Sequence, residues 1–404
     1  MDCHHNSEEF LGFVILILQK QQHTRGRSTI HTLIKSRLDD WDLGHFHVLV
    51  TSAVSDMTAQ LKSKHGVSTP EERLETFQHL SVKGEKQKAI RFLSEREEAT
   101  CILDPEQFDE NSGQTIFELL DEKHPKPDTT LSPLDLPVHP TVPVGPKLLV
   151  TPGTVADVAQ QLKGTTGLGG TDGPTLKGWF LCHKGVSKTL CKAVARLTKW
   201  LSNDIRPWEA IRALMSNRLI ALDKKPGVRP IGIGQIWQRL MAKTMVPIAG
   251  PIATDTCGTD QLCAGLKAGI EGGAAQFWKK MASEPDFGFF LANAMNAFNF
   301  VSQVITIWNV RCSWAITFHF RFNCCCHCGL LVVHSSSGAR CFLHSEDGVT
   351  QGDPLAMILC DHTVLPMIRD LKSQFKNLLH LWFADNGNAG GKLQELKQFS
   401  TCLK

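Results

Sequence analysis

Three short blocks in a fixed order limit what this 404-residue chain can fold into. FFLANAMNAF (289–298) is an apolar run readable as a buried strand; it ends in a small polar residue and turns into a helix start. GVTQGDPLAM (348–357) is a Gly-containing turn that runs into a helix. LWFADNGNAGG (381–391) is an apolar strand closed by an Ala-Asp-Asn-Gly turn and a Gly-rich return. Singly, each is ordinary: Asp and Asn are favoured in tight hairpin turns, and QGDP alone is a turn before a helix. Their joint occurrence is what constrains the chain.

The length allows two or three domains and a sizeable core, and 42% hydrophobic with 21% charged residues is ordinary for a globular protein. A net charge of +3 permits nucleic-acid binding without requiring it, because phosphate contact depends on where Lys and Arg cluster. Fourteen Cys show no framework spacing, and four of them crowd with His327 into 324–328, so a reduced, intracellular chain is expected, nuclear or cytoplasmic. The absence of Tyr has no physical explanation beyond sequence decay. The apolar run 10–18 is too short to span a bilayer, and Glu8 and Glu9 replace the basic flank of a signal peptide. Residues 1–30 are therefore expected to be a buried or poorly ordered tail, and no membrane partner is expected.

Residues 31–120 read as helical: Leu33, Ile34, Leu38 and Trp41 recur at helical spacing, and Pro70 with Glu71 and Glu72 marks a helix start. Segment 83–96 mixes both signs, which is a solvated face in the plainer reading and a strip facing nucleic acid in the sharper one. Seven prolines between 121 and 146 exclude a continuous helix and mark an extended linker and a domain boundary. A short helix over 155–162 ending at Gly164 precedes GTTGLGGTDGPT, the most flexible-looking loop, which matches no phosphate-binding pattern and reads as a turn. Two amphipathic helices over 187–218 are interrupted at Arg206-Pro207, and LIALDKKPGVRPIGIG (219–234) reads as a β-hairpin. Its tip carries Lys224, Lys225 and Arg229, cations suited to a triphosphate or to an ordinary solvated turn.

LDKKPGVRPIGIGQIWQRLMAK, CGTDQLCAGLKAGIEGG, ANAMNAFN, EDGVTQGDPLAM and WFADNGNAGG occur in that order. The series resembles the reverse-transcriptase (RNA-directed DNA polymerase) domain of retrotransposons, from about residue 30 onward. The resemblance implies an α+β right-hand polymerase fold: fingers over 147–290 and a partial palm, an antiparallel sheet with helices, over 291–404. After residue 391 there remains chain for one helix, so the thumb is expected to be missing and the domain truncated. The implied activity is template-directed DNA synthesis from dNTPs with two Mg²⁺ ions, on an RNA template and a DNA primer. Asn293 stands at the first metal-binding Asp, with Ala294 as a backbone ligand. Asn296 and Ala297 stand where backbone N–H groups hold the triphosphate, and Phe298 where an aromatic blocks the ribose 2′-OH. Gln351 and Gly352 match the turn positioning template and nucleotide, Asp385 and Asn386 the paired acids, and Phe383 the usual Tyr. Asp353 caps its turn in the family and is no substitute acid.

Mg²⁺ takes hard oxygen ligands, usually carboxylates with phosphates and water, and two such ions side by side need anionic charge between them. With Asn at 293 and 386, Asp385 is the single formal anion of the three. Removing one unit charge about 4 Å from another is worth on the order of 4 kcal/mol at an effective dielectric of about 20. A divalent ion loses more, and each ~1.4 kcal/mol is tenfold in rate. The resemblance therefore implies a pseudoenzyme, a degenerate retroelement copy with weak or absent Mg²⁺ binding. Two other readings stay open: a domesticated RNA- or DNA-binding protein without synthesis, and a Cys/His metal module at Cys325, His327 and Cys328 with Cys312. That module lacks a second ligand pair at defined spacing.

Overall fold

Among the described residues eight strands carry the fold: β1 (Ile102–Leu103), β2 (Asn217–Asp223), β3 (Val228–Gly234), β4 (Phe287–Asn293), β5 (Gly329–His334), β6 (Arg340–Ser345), β7 (Leu379–Phe383) and β8 (Asn386–Lys392). The computed structural model describes residues 7–18, 27–64, 70–84, 86, 89, 102–127, 136, 142–224, 227–266 and 268–403. The strands form two sheets among many helices, an α+β architecture. In the first sheet β2 pairs antiparallel with β3 along its whole length. Its other edge takes β1 antiparallel and β5 parallel, and β6 closes the sheet on β5. In the second sheet the order is β4-β8-β7, all antiparallel.

The expected hairpin over 219–234 is present, with Asp223 opposite Val228 and Gly227 at φ +85 turning the chain between them. The two amphipathic helices are Lys184–Asn203 and Trp208–Met215, broken at Arg206-Pro207 as the composition demands. Their apolar faces join the helices Pro152–Gln160, Gly173–Leu181 and Ile236–Cys257 in the main core around Phe180, Trp314 and Phe320. Burial of side chains this large gains roughly 2–3 kcal/mol apiece. A second core lies on the first sheet (Ile116, Leu120, Leu219, Leu331, Leu343), and a third on one face of the second (Ile368, Trp382, Ala389, Phe399).

Within 1–30, where a buried or poorly ordered tail is expected, Ser7–Leu18 is a helix whose Leu11, Val14 and Ile17 are buried, because their spacing puts three apolar side chains on one face. Other expectations need correction. The region 31–120 is not helical throughout: β1 pairs with β2, and the helix Ile116–Glu122 packs its Ile116 and Leu120 on that sheet. This helix also crosses the expected linker boundary at 121; the linker's 128–135 and 137–141, and most of segment 83–96, lie outside the described residues. Around the expected boundary near 290/291, β4 begins at Phe287, and β5 and β6, which follow it in the chain, belong to the first sheet. The strand β4 is not buried. It is an edge strand with Phe289 44% and Leu291 76% exposed, because only its alternate residues face the third core. The GTTGLGGTDGPT loop is docked rather than loose: Gly169 N–H donates to Gln235 Oε1 at 3.0 Å, and Asp172 caps the next helix through Thr175 N–H. Among the described residues no helix is long and apolar enough to cross a membrane.

Candidate functional site

The register of β4 on β8 sets Asn293 opposite Asn386. One residue further, Ala294 N–H donates to the Asp385 carbonyl at 2.9 Å, so the turn and the strand end are tied together. Asn293 Nδ2 donates to Asn386 Oδ1 at 3.0 Å, and Asn386 Nδ2 reaches Asp385 Oδ1 at 3.5 Å. Two carboxylates could make the first of these bonds only by sharing a proton, since an ionised carboxylate has no donor. The sheet apex is thus closed by an amide pair with one carboxylate beside it.

This apex forms one wall of a cavity of about 280 Å³. Lys224 and Arg229 reach it from the β2–β3 hairpin, and Met295, Asn296, Ala297, Phe298 and Gln351 line it together with Asn293, Ala294 and Asp385. Nearly all the site residues expected from the sequence therefore share one cavity. Gly352 and Asn386 are not in its lining, and Lys225 lies outside the described residues. A wider cavity of about 470 Å³ lies against the same apex and is lined by Phe290, Met367 and Trp382, with Asn293 and Asp385 common to both.

The Gln351 wall is fixed by backbone against backbone. Gly232 N–H of β3 donates to the Gln351 carbonyl at 2.8 Å. Gly352 has φ +116, and a Cβ there would lie 2.3 Å from the Gly232 carbonyl oxygen, so only glycine fits. Asp353 is occupied with the turn itself, accepting from Leu355 N–H at 2.7 Å and from Gln238 Nε2 at 2.9 Å. That agrees with the capping role expected of it.

The 384–385 turn is held from behind by a buried polar cluster that sequence reasoning missed. Ala384, at φ +50, donates its N–H to Gln261 Oε1 at 2.9 Å and accepts from Gln261 Nε2 at 3.3 Å. Cys263 Sγ accepts from the same N–H and donates to Asp361 Oδ1 at 2.8 Å. Burial lifts the Asp361 carboxyl to about 7, the Cys263 bond pulling the other way, and its Oδ2 has no partner among the described residues. Next to it, burial lowers the His362 imidazole to about 4; that ring stacks on Trp314 at 5.2 Å. No local pattern announces this cluster, whose members are scattered from 261 to 384.

Lys123 is a second missed residue. It lines the cavity, and its carbonyl accepts from Asn296 Nδ2 at 2.8 Å. It follows a helix started by a reciprocal Thr115–Glu118 capping box, a signal legible in the sequence. The Cys cluster offers no metal geometry: among the described residues no three His, Cys, Asp or Glu converge on a point where an ion could sit. Burial raises the thiol pKa of Cys324 and Cys325, Cys328 is exposed, and the His327 ring lies against Trp208, tilted by 32° at 4.8 Å between centroids.

No protein-family model matches the chain, and no curated protein matches it. Among solved structures, it is similar to apo telomerase from Candida tropicalis truncated of its C-terminal domain, at TM-score 0.37 and 10% identity over 57% of this chain and 58% of that one. Telomerase from Candida albicans in complex with a fragment of telomeric RNA gives TM-score 0.36 and 10% identity, over 55% and 44%. The chain thus spans about half the length of these structures. Likeness at this distance carries no weight for activity.

Proposed function

We propose that this chain is a reverse-transcriptase-like domain of retroelement type that binds nucleic acid and phosphate groups in its cleft but does not synthesise DNA. The observation that supports this is the shared cavity: a cationic hairpin, the 351–352 turn and the strand apex come from blocks far apart in sequence and meet there. Lys123, Lys224 and Arg229 face it against one carboxylate, Asp385, so the lining is cationic. Lys gives a mobile point charge and Arg a rigid fork, both matched to phosphate oxygens.

The donor set does not fit a pair of Mg²⁺ ions. One carboxylate and two amides already bonded to each other cannot offset the repulsion of two divalent cations. No synthetic step is therefore assigned to this apex. What the residues do here is bind: the cations take phosphates, and Gln351, held on β3, shapes the floor.

A labelled primer–template offered to the purified chain tests the reading. Binding whose log affinity falls linearly with log salt, with no extension at any Mg²⁺ concentration, is expected. Extension of the primer, or no binding at low salt, would overturn it. A Cys/His metal module has no geometric support among the described residues.

A further inference from the structure

Between Asp172 and Asp204 the chain carries no acid but six Lys or Arg: Lys177, Lys184, Lys188, Lys192, Arg196 and Lys199. The whole chain has 40 acids in 404 residues, so a stretch of 31 would ordinarily hold about three. Five of these cations fall on one helix, Lys184–Asn203. Lys184, Lys188, Lys192 and Arg196 are exposed, and Lys199 is half-buried. Each four-residue step advances roughly 6 Å and turns about 40°, so the four exposed cations form a stripe about 18 Å long on a third of the circumference. The opposite face is locked into the main core through Cys191, Val194, Ala195 and Leu201. None of the four exposed cations pairs with an acid among the described residues. Their combined charge exceeds the net +3 of the entire chain. Like charges at four-residue spacing repel, and a polyanion laid along the stripe removes that repulsion.

We propose that this face is a nucleic-acid contact surface in addition to the cavity, taking successive phosphates of an RNA or DNA strand. The geometry points to backbone contact without base reading, because the four long side chains are point charges or forks with no aromatic platform among them. A membrane surface fits less well. An interfacial helix needs a broad apolar face to insert, and the one large apolar residue exposed on this helix is Val186, at 72%. The charge array is a different observation from the shared cavity, so either proposal can fail alone.

The test uses the full chain, mixed-sequence single-stranded RNA and DNA oligonucleotides, and fluorescence anisotropy across a salt series. Lys184→Gln/Lys188→Gln/Lys192→Gln/Arg196→Gln is expected to weaken binding at least tenfold near 0.1 M salt. The slope of log affinity against log salt should flatten by roughly 2–3, at about 0.7 per lost phosphate contact on a single strand. RNA and DNA should be affected alike, since a backbone contact of this kind does not tell them apart; a loss confined to one of them would contradict contact through phosphates alone. The neutralised chain should melt no lower than the parent, and the matching variant with Arg at 184, 188 and 192 should bind as the parent does. Should the fourfold variant not fold, Lys188→Gln/Lys192→Gln is read for half the slope change. Unchanged affinity and slope would overturn the proposal, as would loss seen only on phosphatidylserine vesicles or with an acidic peptide. Lys224→Gln/Arg229→Gln, measured beside it, reports on the cavity separately.

Discussion

The two turns that face the cavity are held in opposite ways. The 351–352 turn is fixed by steric fit, glycine against glycine, with hydrogen bonds between backbones. The 384–385 turn is fixed by side chains, a buried Gln261–Cys263–Asp361 cluster in which one group is an acid out of water. Sterics do not depend on pH and tolerate no added atom; a buried ionisable cluster tolerates isosteric change and depends strongly on pH. The same contrast explains the apex. Asn has the shape of Asp, so β4 and β8 pair with amides at 293 and 386 while the charge a metal would need is gone.

The largest effect that separates the two turns is the titration of Asp361. Its pKa rises from 3.8 in the unfolded chain to about 7 in the fold, so the folded state holds a proton that the unfolded state releases. Stability from this group is complete below about pH 4, falls as pH rises, and is lost above about 7, a swing on the order of 4 kcal/mol. His362 acts in the same window with the opposite sign: its neutral form is kept in the fold down to about 4, so its contribution falls as pH drops below 6.5. The parent should therefore show a shallow pH profile. In Asp361→Asn the His362 slope stands alone, and the variant should gain about 4 kcal/mol over the parent at pH 8 and little at pH 4. Urea midpoints across pH 4 to 8 check this, and parallel profiles for the two proteins would contradict it.

Next in size is Gly352→Ala. The positive φ and the 2.3 Å approach to Gly232 should together cost about 3 kcal/mol, at every pH. A pH-dependent loss would show that this turn, too, leans on the buried cluster. Gln261→Leu strips two hydrogen bonds from Ala384 and should cost about 2 kcal/mol by thermal melting. The smallest change is Asn293→Ala, which removes an exposed amide bond and should cost about 0.5 kcal/mol or less. A loss several times larger would mean that the amide pair holds the strands together.

Legibility in the sequence followed locality. The hairpin over 219–234 and the helix break at Arg206-Pro207 could be read, because turn chemistry and period-2 runs are local signals; that the three blocks meet at one cavity was implied only by the resemblance of the whole series. The parallel pairing of 217–219 with 331–333 could not, since its partners are more than a hundred residues apart and carry no joint pattern. Nor could the exposure of Leu291, because an apolar edge strand and a buried one share the same composition. Lys123 and the acid-free stretch from 173 to 203 were legible but hidden, one by the prolines that follow it and the other by a net charge near neutral.

The central claim is that one carboxylate and two amides cannot hold divalent ions at this apex. Calorimetric titration of Mg²⁺ into the parent and into Asn293→Asp/Asn386→Asp tests it directly. The double variant should bind Mg²⁺ at least tenfold more tightly than the parent, whose heats should show no saturation in the millimolar range. Equal, saturable binding by both proteins would contradict the account.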